Sequence, residues 1–138
     1  MAFDLGRFLD AQEGVYAGVL EELRGGRKDT HWIWFTFPQI TGLGRSWISQ
    51  QYSIVSLEEA RAYLADPALG ARLRECAGVV LATKGRTANE IFGELDAMKV
   101  RSSMTLFHRA APDEPLFQQV LERYYGGVPD ALTDQLLA

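Results

Sequence analysis

Apolar residues recur at steps of three and four from Asp4 to Arg24: Leu5, Phe8, Leu9, Val15, Tyr16, Val19, Leu20 and Leu23. That spacing places them on one stripe of a helix, with Asp4 as its cap and Gly25-Gly26 as its stop. Gln12 interrupts the stripe between Leu9 and Tyr16. A buried polar side chain must find partners or cost about 1–3 kcal/mol. The plain reading of Gln12 is a side chain bonded to nearby backbone; the sharper one has it facing a pocket.

The next stretch, His31 to Gln39, reads HWIWFTFPQ. Thr36 is its one polar residue between His31 and Pro38, so period-two alternation is absent. It is either a short buried strand or a turn or two of helix, closed by about Thr36 because Pro38 pushes Phe37 out of the α region. Thr41–Gly44 is a loop, and Trp47, Ile48, Tyr52 and Ile54 follow as a weak short helix or turn.

Ser56–Glu59 is a capping box before Ala60, Tyr63 and Leu64. Asp66-Pro67 opens another helix, whose apolar row runs through Leu69, Leu73, Cys76, Ala77, Val80 and Leu81 to about Lys84. Thr87–Glu90 is a second capping box, before Ile91 and Phe92. Asp96 caps a helix with Ala97, Val100, Met104, Phe107 and Ala111 on its apolar row, and Pro112 ends it. Asp113 caps a further helix that closes at Gly126-Gly127. Pro129 to Ala138 adds a short C-terminal helix that frays. No hairpin signal, repeat or linker is present. The pattern predicts an all-α fold, one domain over residues 1–138 with six to eight helices and short irregular connections.

Composition narrows the function classes. The 138 residues are 47% hydrophobic and 23% charged, enough for a sizeable core. A net charge of −4 argues against bulk electrostatic binding of nucleic acid, though not against a local basic pocket. A single cysteine, Cys76, cannot form an internal disulfide. The N-terminus lacks a signal-peptide layout, and no apolar run approaches the roughly 18 residues of a membrane span. The expectation is a soluble cytoplasmic protein with no membrane partner.

Chemistry-bearing motifs are sparse. His31 and His108 stand far apart, and no metal-ligand spacing or carboxylate-rich loop exists, so no metal or cofactor is indicated. Cys76 sits mid-helix among leucines and valines, which suits a small core hydrophobe better than a reactive thiol. Gly42–Trp47 has two glycines of a dinucleotide fingerprint but neither the third nor its strand context. Lys99 to Phe107, KVRSSMTLF, is richer: on a helix Lys99, Ser102 and Ser103 share a face, with Arg101 and Thr105 on an adjoining one. Cations with hydroxyls are ligands for a carboxylate or phosphate; the plainer reading is a solvated face with hydroxyls bonded to the preceding turn.

These strings, with FDLGRFLDAQ and YSIVSLEEARAYLADPALGARLREC, resemble the bacterial DUF1810 family, a domain of unknown function, from Phe3 to about Gly127. The resemblance implies a small, mainly α-helical protein and no particular activity. On the family pattern the polar positions that stand out are Asp10, Gln12, Lys28, His31, Gln39, Lys99, Ser103 and Thr105. Asp66 stands where the family often has His, which argues against a base at that position.

The two strings are expected to meet. Trp32 and Trp34 would wall a pocket in which His31, Gln39, Lys99, Ser103 and Thr105 contact a small anionic ligand, nucleotide-like or sugar-phosphate-like, with Asp10, Gln12 and Lys28 in support. His31 is the best candidate for a general base, since imidazole titrates near neutrality. No triad or carboxylate pair is present, so the sequence assigns no reaction, and oligomeric state is left open. The rival reading is a non-enzymatic interaction module using an exposed aromatic patch with Trp47 and Tyr52; the blandest is core and helix surface alone.

Overall fold

The computed structural model describes residues 3–138. Among them the chain forms helices α1 (Gly6–Gln12), α2 (Tyr16–Arg24), α3 (Ile33–Thr36), α4 (Trp47–Gln51), α5 (Leu57–Ala65), α6 (Leu69–Ala82), α7 (Ala88–Phe92), α8 (Glu94–Ala110), α9 (Pro115–Tyr125) and α10 (Ala131–Leu137). The all-α class holds, but there are ten helices among the described residues, not six to eight. The first predicted helix is two. Glu13 is extended and Gly14 takes a φ of +76°, a left-handed conformation that breaks the ladder. The predicted cap fails as well, because Leu5 occupies the cap position and no side chain bonds there.

Residues 33–36 resolve the helix-or-strand question as one helical turn. Proline then forces extension, and the chain makes an isolated parallel bridge between Ile40 and Ile54. Ile54 N–H donates to Gln39 O at 2.8 Å, and Thr41 N–H donates to Ile54 O at 2.8 Å. The Pro38–Ile40 segment is thereby pinned. The hydroxyl caps behave as the sequence predicts for α7, where Thr87 and Glu90 form a full reciprocal box. At α5, Ser56 accepts from Glu59 N–H, but the Glu59 carboxylate reaches one residue further back, to Val55 N–H at 2.8 Å.

Helix α8 is the axis. It packs on α9, α7, α5 and α10 and touches α3. Residues 102–107 are buried without a break, which a helix shows only when enclosed on all sides. The core around it is aromatic: Phe8 meets Tyr63 edge-on at 5.1 Å, and Tyr63, Phe107 and Phe117 follow at 5.4 and 5.9 Å. Gln12 is satisfied internally, donating to Phe35 O at 2.7 Å and accepting from Arg72 at 3.2 Å. Cys76 is fully buried, and burial pushes its thiol up to about 12, as befits a core residue. Helix α10 docks on α8 through an Arg109–Asp134 bidentate pair at 2.9 and 3.0 Å. No helix among the described residues is long and apolar enough to cross a membrane.

Candidate functional site

The Trp32–Phe37 stretch divides between core and surface. Trp32 and Phe37 are buried, with rings 6.4 Å apart, and Phe37 meets Phe92 edge-on at 5.9 Å. Trp34 and Phe35 are half-buried, and His31 is exposed.

One residue that the sequence pattern does not single out holds this stretch. The Glu22 carboxylate, on α2, accepts from Asp29 N–H at 2.6 Å, Thr30 N–H at 2.9 Å, the Thr30 hydroxyl at 2.6 Å and the Trp32 indole N–H at 3.0 Å. Burial pushes its carboxyl upward, but the bonds from Thr30, Asp29 and Trp32 outweigh that and pull it from the ordinary 4.5 to about 2. The depressed value means that this clamp contributes stability in full above pH 4.5, and loses it as pH falls toward about 2. Glu22→Ala is expected to cost about 2–3 kcal/mol near neutrality, as for hydrogen bonds to a charged group. It should also flatten the acid limb of a pH–Tm profile; an unchanged profile would contradict the clamp.

Helix α8 starts at Glu94, with Gly93 at its cap position at φ +83°. Asp96, expected as the cap, therefore lies inside the first turn and its carboxylate is free to face sideways. It accepts from Lys28 Nζ at 2.8 Å and from Lys99 Nζ at 3.2 Å. Burial raises its carboxyl, and the hydrogen bonds from the two ammonium groups more than offset this, holding it below the ordinary carboxylate range. Each ammonium also faces an indole: Lys28 Nζ is 5.2 Å from the Trp32 ring centre and Lys99 Nζ is 5.0 Å from that of Trp34. Lys28 is only 6% exposed and also donates to Thr30 O at 2.6 Å, whereas Lys99 keeps 28% exposure.

Two hollows open beside this network. One, of about 420 Å³, is lined by His31, Trp34, Phe92, Gly93, Glu94, Leu95, Asp96 and Lys99. The other, of about 260 Å³, is lined by Gln39, Leu43, Gly44, Ser49, Leu95, Met98, Lys99, Arg101, Ser102, Asp130 and Leu132. Lys99 and Leu95 belong to both. Arg101 bonds Val128 O at 2.9 Å, and the Asp130 carboxylate caps α10 by accepting from Thr133 N–H and its hydroxyl at 3.0 and 2.6 Å.

The geometry thus brings His31, Trp34 and Lys99 to one hollow, and Gln39 and Lys99 to the other. Other expected site residues lie elsewhere. Trp32 and Lys28 sit behind the wall, Gln12 is in the core, and Asp10 is exposed on α1 and lines neither hollow. Ser103 is fully buried with no partner for its hydroxyl, and Thr105, also fully buried, donates to Arg101 O and accepts from Asp130 N–H, both at 2.9 Å. The reason is the enclosure of α8 over residues 102–107, which turns an apparently polar face inward there. Ser102 reaches a hollow in their place, although its hydroxyl donates back to Met98 O at 3.1 Å.

A family model described as Protein of unknown function (DUF1810) matches residues 2–137. The chain belongs to the DUF1810 family. The chain is similar to the crystal structure of the conserved hypothetical protein Rv1873 from Mycobacterium tuberculosis. That protein is 53% identical with a TM-score of 0.96, over 98% of this chain and 96% of that chain. No curated protein matches this DUF1810 chain. Chemically the candidate site offers the Lys99 ammonium and the Trp34 indole. The His31 ring makes no hydrogen bond among the described residues, and no group of three or more His, Cys, Asp or Glu side chains converges there.

Proposed function

We propose that the protein binds a small phosphorylated organic anion, of nucleotide or sugar-phosphate type, in the cleft between residues 31–39 and 94–102. The observation that carries this reading is the sharing of one carboxylate, Asp96, by two ammonium groups. The Lys28 side chain is only 6% exposed and holds Asp96 at the shorter distance, so an incoming anion can take Lys99 without stranding the carboxylate. Within the Lys28–Asp96–Lys99 group one positive charge is in excess, and the Lys99 ammonium lies beside an indole at the wall of a hollow, a fitting seat for a phosphate with an organic group attached. Glu94, which lines the same hollow, balances that excess when no anion is bound, and the chain as a whole is acidic. That favours a small anion over a polyanion.

A protein-docking reading has one supporting observation, Trp47, which is 77% exposed on α4. Trp32 is buried and Tyr52 half-buried, so Trp47 has no contiguous aromatic patch around it.

A thermal-shift panel of inorganic phosphate, nucleotides and sugar phosphates tests the proposal. A bound compound at a hundredfold excess over its Kd stabilises by about 2.7 kcal/mol. Lys99→Ala should abolish that stabilisation while costing under about 1 kcal/mol itself, since its ion pair is partly exposed. A panel with no stabilising compound, or one that stabilises Lys99→Ala equally, contradicts the reading.

A further inference from the structure

The two hollows are not independent. Leu95 and Lys99, one turn apart on α8, line both, so this stretch of helix is a crest with a depression on either side. Leu95 is 74% exposed on that crest, which core packing does not explain. On one flank stand Trp34 and His31; on the other stand Gln39, Met98, Arg101 and Ser102. Neither depression, at about 260 and about 420 Å³, exceeds the lower part of the roughly 300–1,000 Å³ range of ligand pockets. Both have apolar walls with a few polar groups, and Lys99, whose side chain is 28% exposed, lines both.

We propose that the ligand straddles this crest: a phosphate or pyrophosphate bridge with an organic group at each end. This rests on the anion-binding reading above and specifies its ligand class. The bridge lies over Lys99. One end group, planar, lies against the Trp34 indole. The other enters the depression beside Gln39, where Met98 and Leu132 supply apolar contact and the Gln39 amide and Arg101 supply donors. Joining two modestly bound halves through one bridge raises affinity, because the second half binds at a high effective concentration.

Three probes separate the possibilities: inorganic phosphate, AMP, and diadenosine diphosphate. The last two carry similar net charge, so a difference between them reports the second arm and not electrostatics. Calorimetric titration of the full chain should rank diadenosine diphosphate at least about tenfold tighter than AMP, and AMP tighter than phosphate. Trp34→Ala should weaken both organic probes. Gln39→Ala should weaken diadenosine diphosphate alone. The Gln39 side chain makes no hydrogen bond among the described residues and only its backbone is pinned, so this variant keeps its fold, as its unliganded melting temperature will verify. Equal affinity for AMP and diadenosine diphosphate, or indifference of the latter to Gln39→Ala, overturns the straddling ligand and leaves the anion site standing. Failure of all three probes to bind overturns both.

Discussion

Gly70→Ala is expected to destabilise the protein by about 3–5 kcal/mol, near the limit of what one methyl group can do. Gly70 is fully packed at the start of α6, beneath the end of α5. A Cβ there would lie 2.1 Å from Leu64 O and 2.9 Å from Leu64 C, and backbone cannot step aside as a side chain can. The same Leu64 carbonyl accepts from Arg74 at 3.1 Å, and Arg74 forks onto Glu114 at 2.8 and 3.1 Å. Pushing the α5–α6 turn outward therefore disturbs the link to α9 as well. Gly78, two turns along the same helix, provides the control. Its Cβ would meet nothing within 4 Å, so Gly78→Ala should stabilise by about 0.5–1 kcal/mol. Urea denaturation of both variants should give opposite signs; a mild Gly70→Ala would mean that the α5–α6 contact is loose.

Asp96→Ala is the second large effect, and it links the site to the fold. Removing the carboxylate leaves the ammonium of the Lys28 side chain, which is 6% exposed, with Thr30 O and the Trp32 ring as its remaining partners. Breaking a fully buried pair from one side costs about 3–5 kcal/mol, mostly as the penalty of an unpaired buried charge; with Asp96 19% exposed the expected loss is about 2–3 kcal/mol. The Lys99 variant, by contrast, leaves a satisfied Lys28–Asp96 pair. Stability measured by chemical denaturation should thus fall steeply for Asp96→Ala and hardly for Lys99→Ala. The pH dependence has the matching sign. The Asp96 carboxyl is depressed in the fold, so its contribution is complete above the ordinary Asp value and lost as pH falls through the folded one. Equal losses in the two variants would contradict a network anchored by Lys28.

The helices were legible because their signals are local. The Thr87 box and the glycine after Tyr125, at a φ of +65°, are readable from neighbours in sequence. The break at Gly14 was not, because a glycine inside an apolar stripe is compatible with a continuous helix until tertiary contacts choose. Trp34, Gln39 and Lys99 stand out in the sequence because each lies in a short string that mixes apolar and polar groups, and each lines at least one of the two hollows. The burial of Ser103 and Thr105 was not legible, because three- and four-residue spacing shows which residues share a face, but not that every face of α8 is covered over residues 102–107. The clamp at Glu22 and the pairing of Asp96, which was expected only as a cap, were not legible for a related reason. An acid on a helix reads as solvated surface or as a cap, and what makes these two matter is a partner far away in the chain: Trp32 for Glu22, Lys28 for Asp96.

The central claim is that a phosphorylated anion sits between Trp34 and Lys99. A nitrogen–proton correlation spectrum resolves the indole N–H groups of Trp32, Trp34 and Trp47, the chain's 3 tryptophans. On titration with AMP, the account predicts a saturable shift of the Trp34 indole, a stationary Trp47, and no movement of Trp34 in Lys99→Ala. A stationary Trp34 in the native protein, or a shift that survives loss of Lys99, would contradict it.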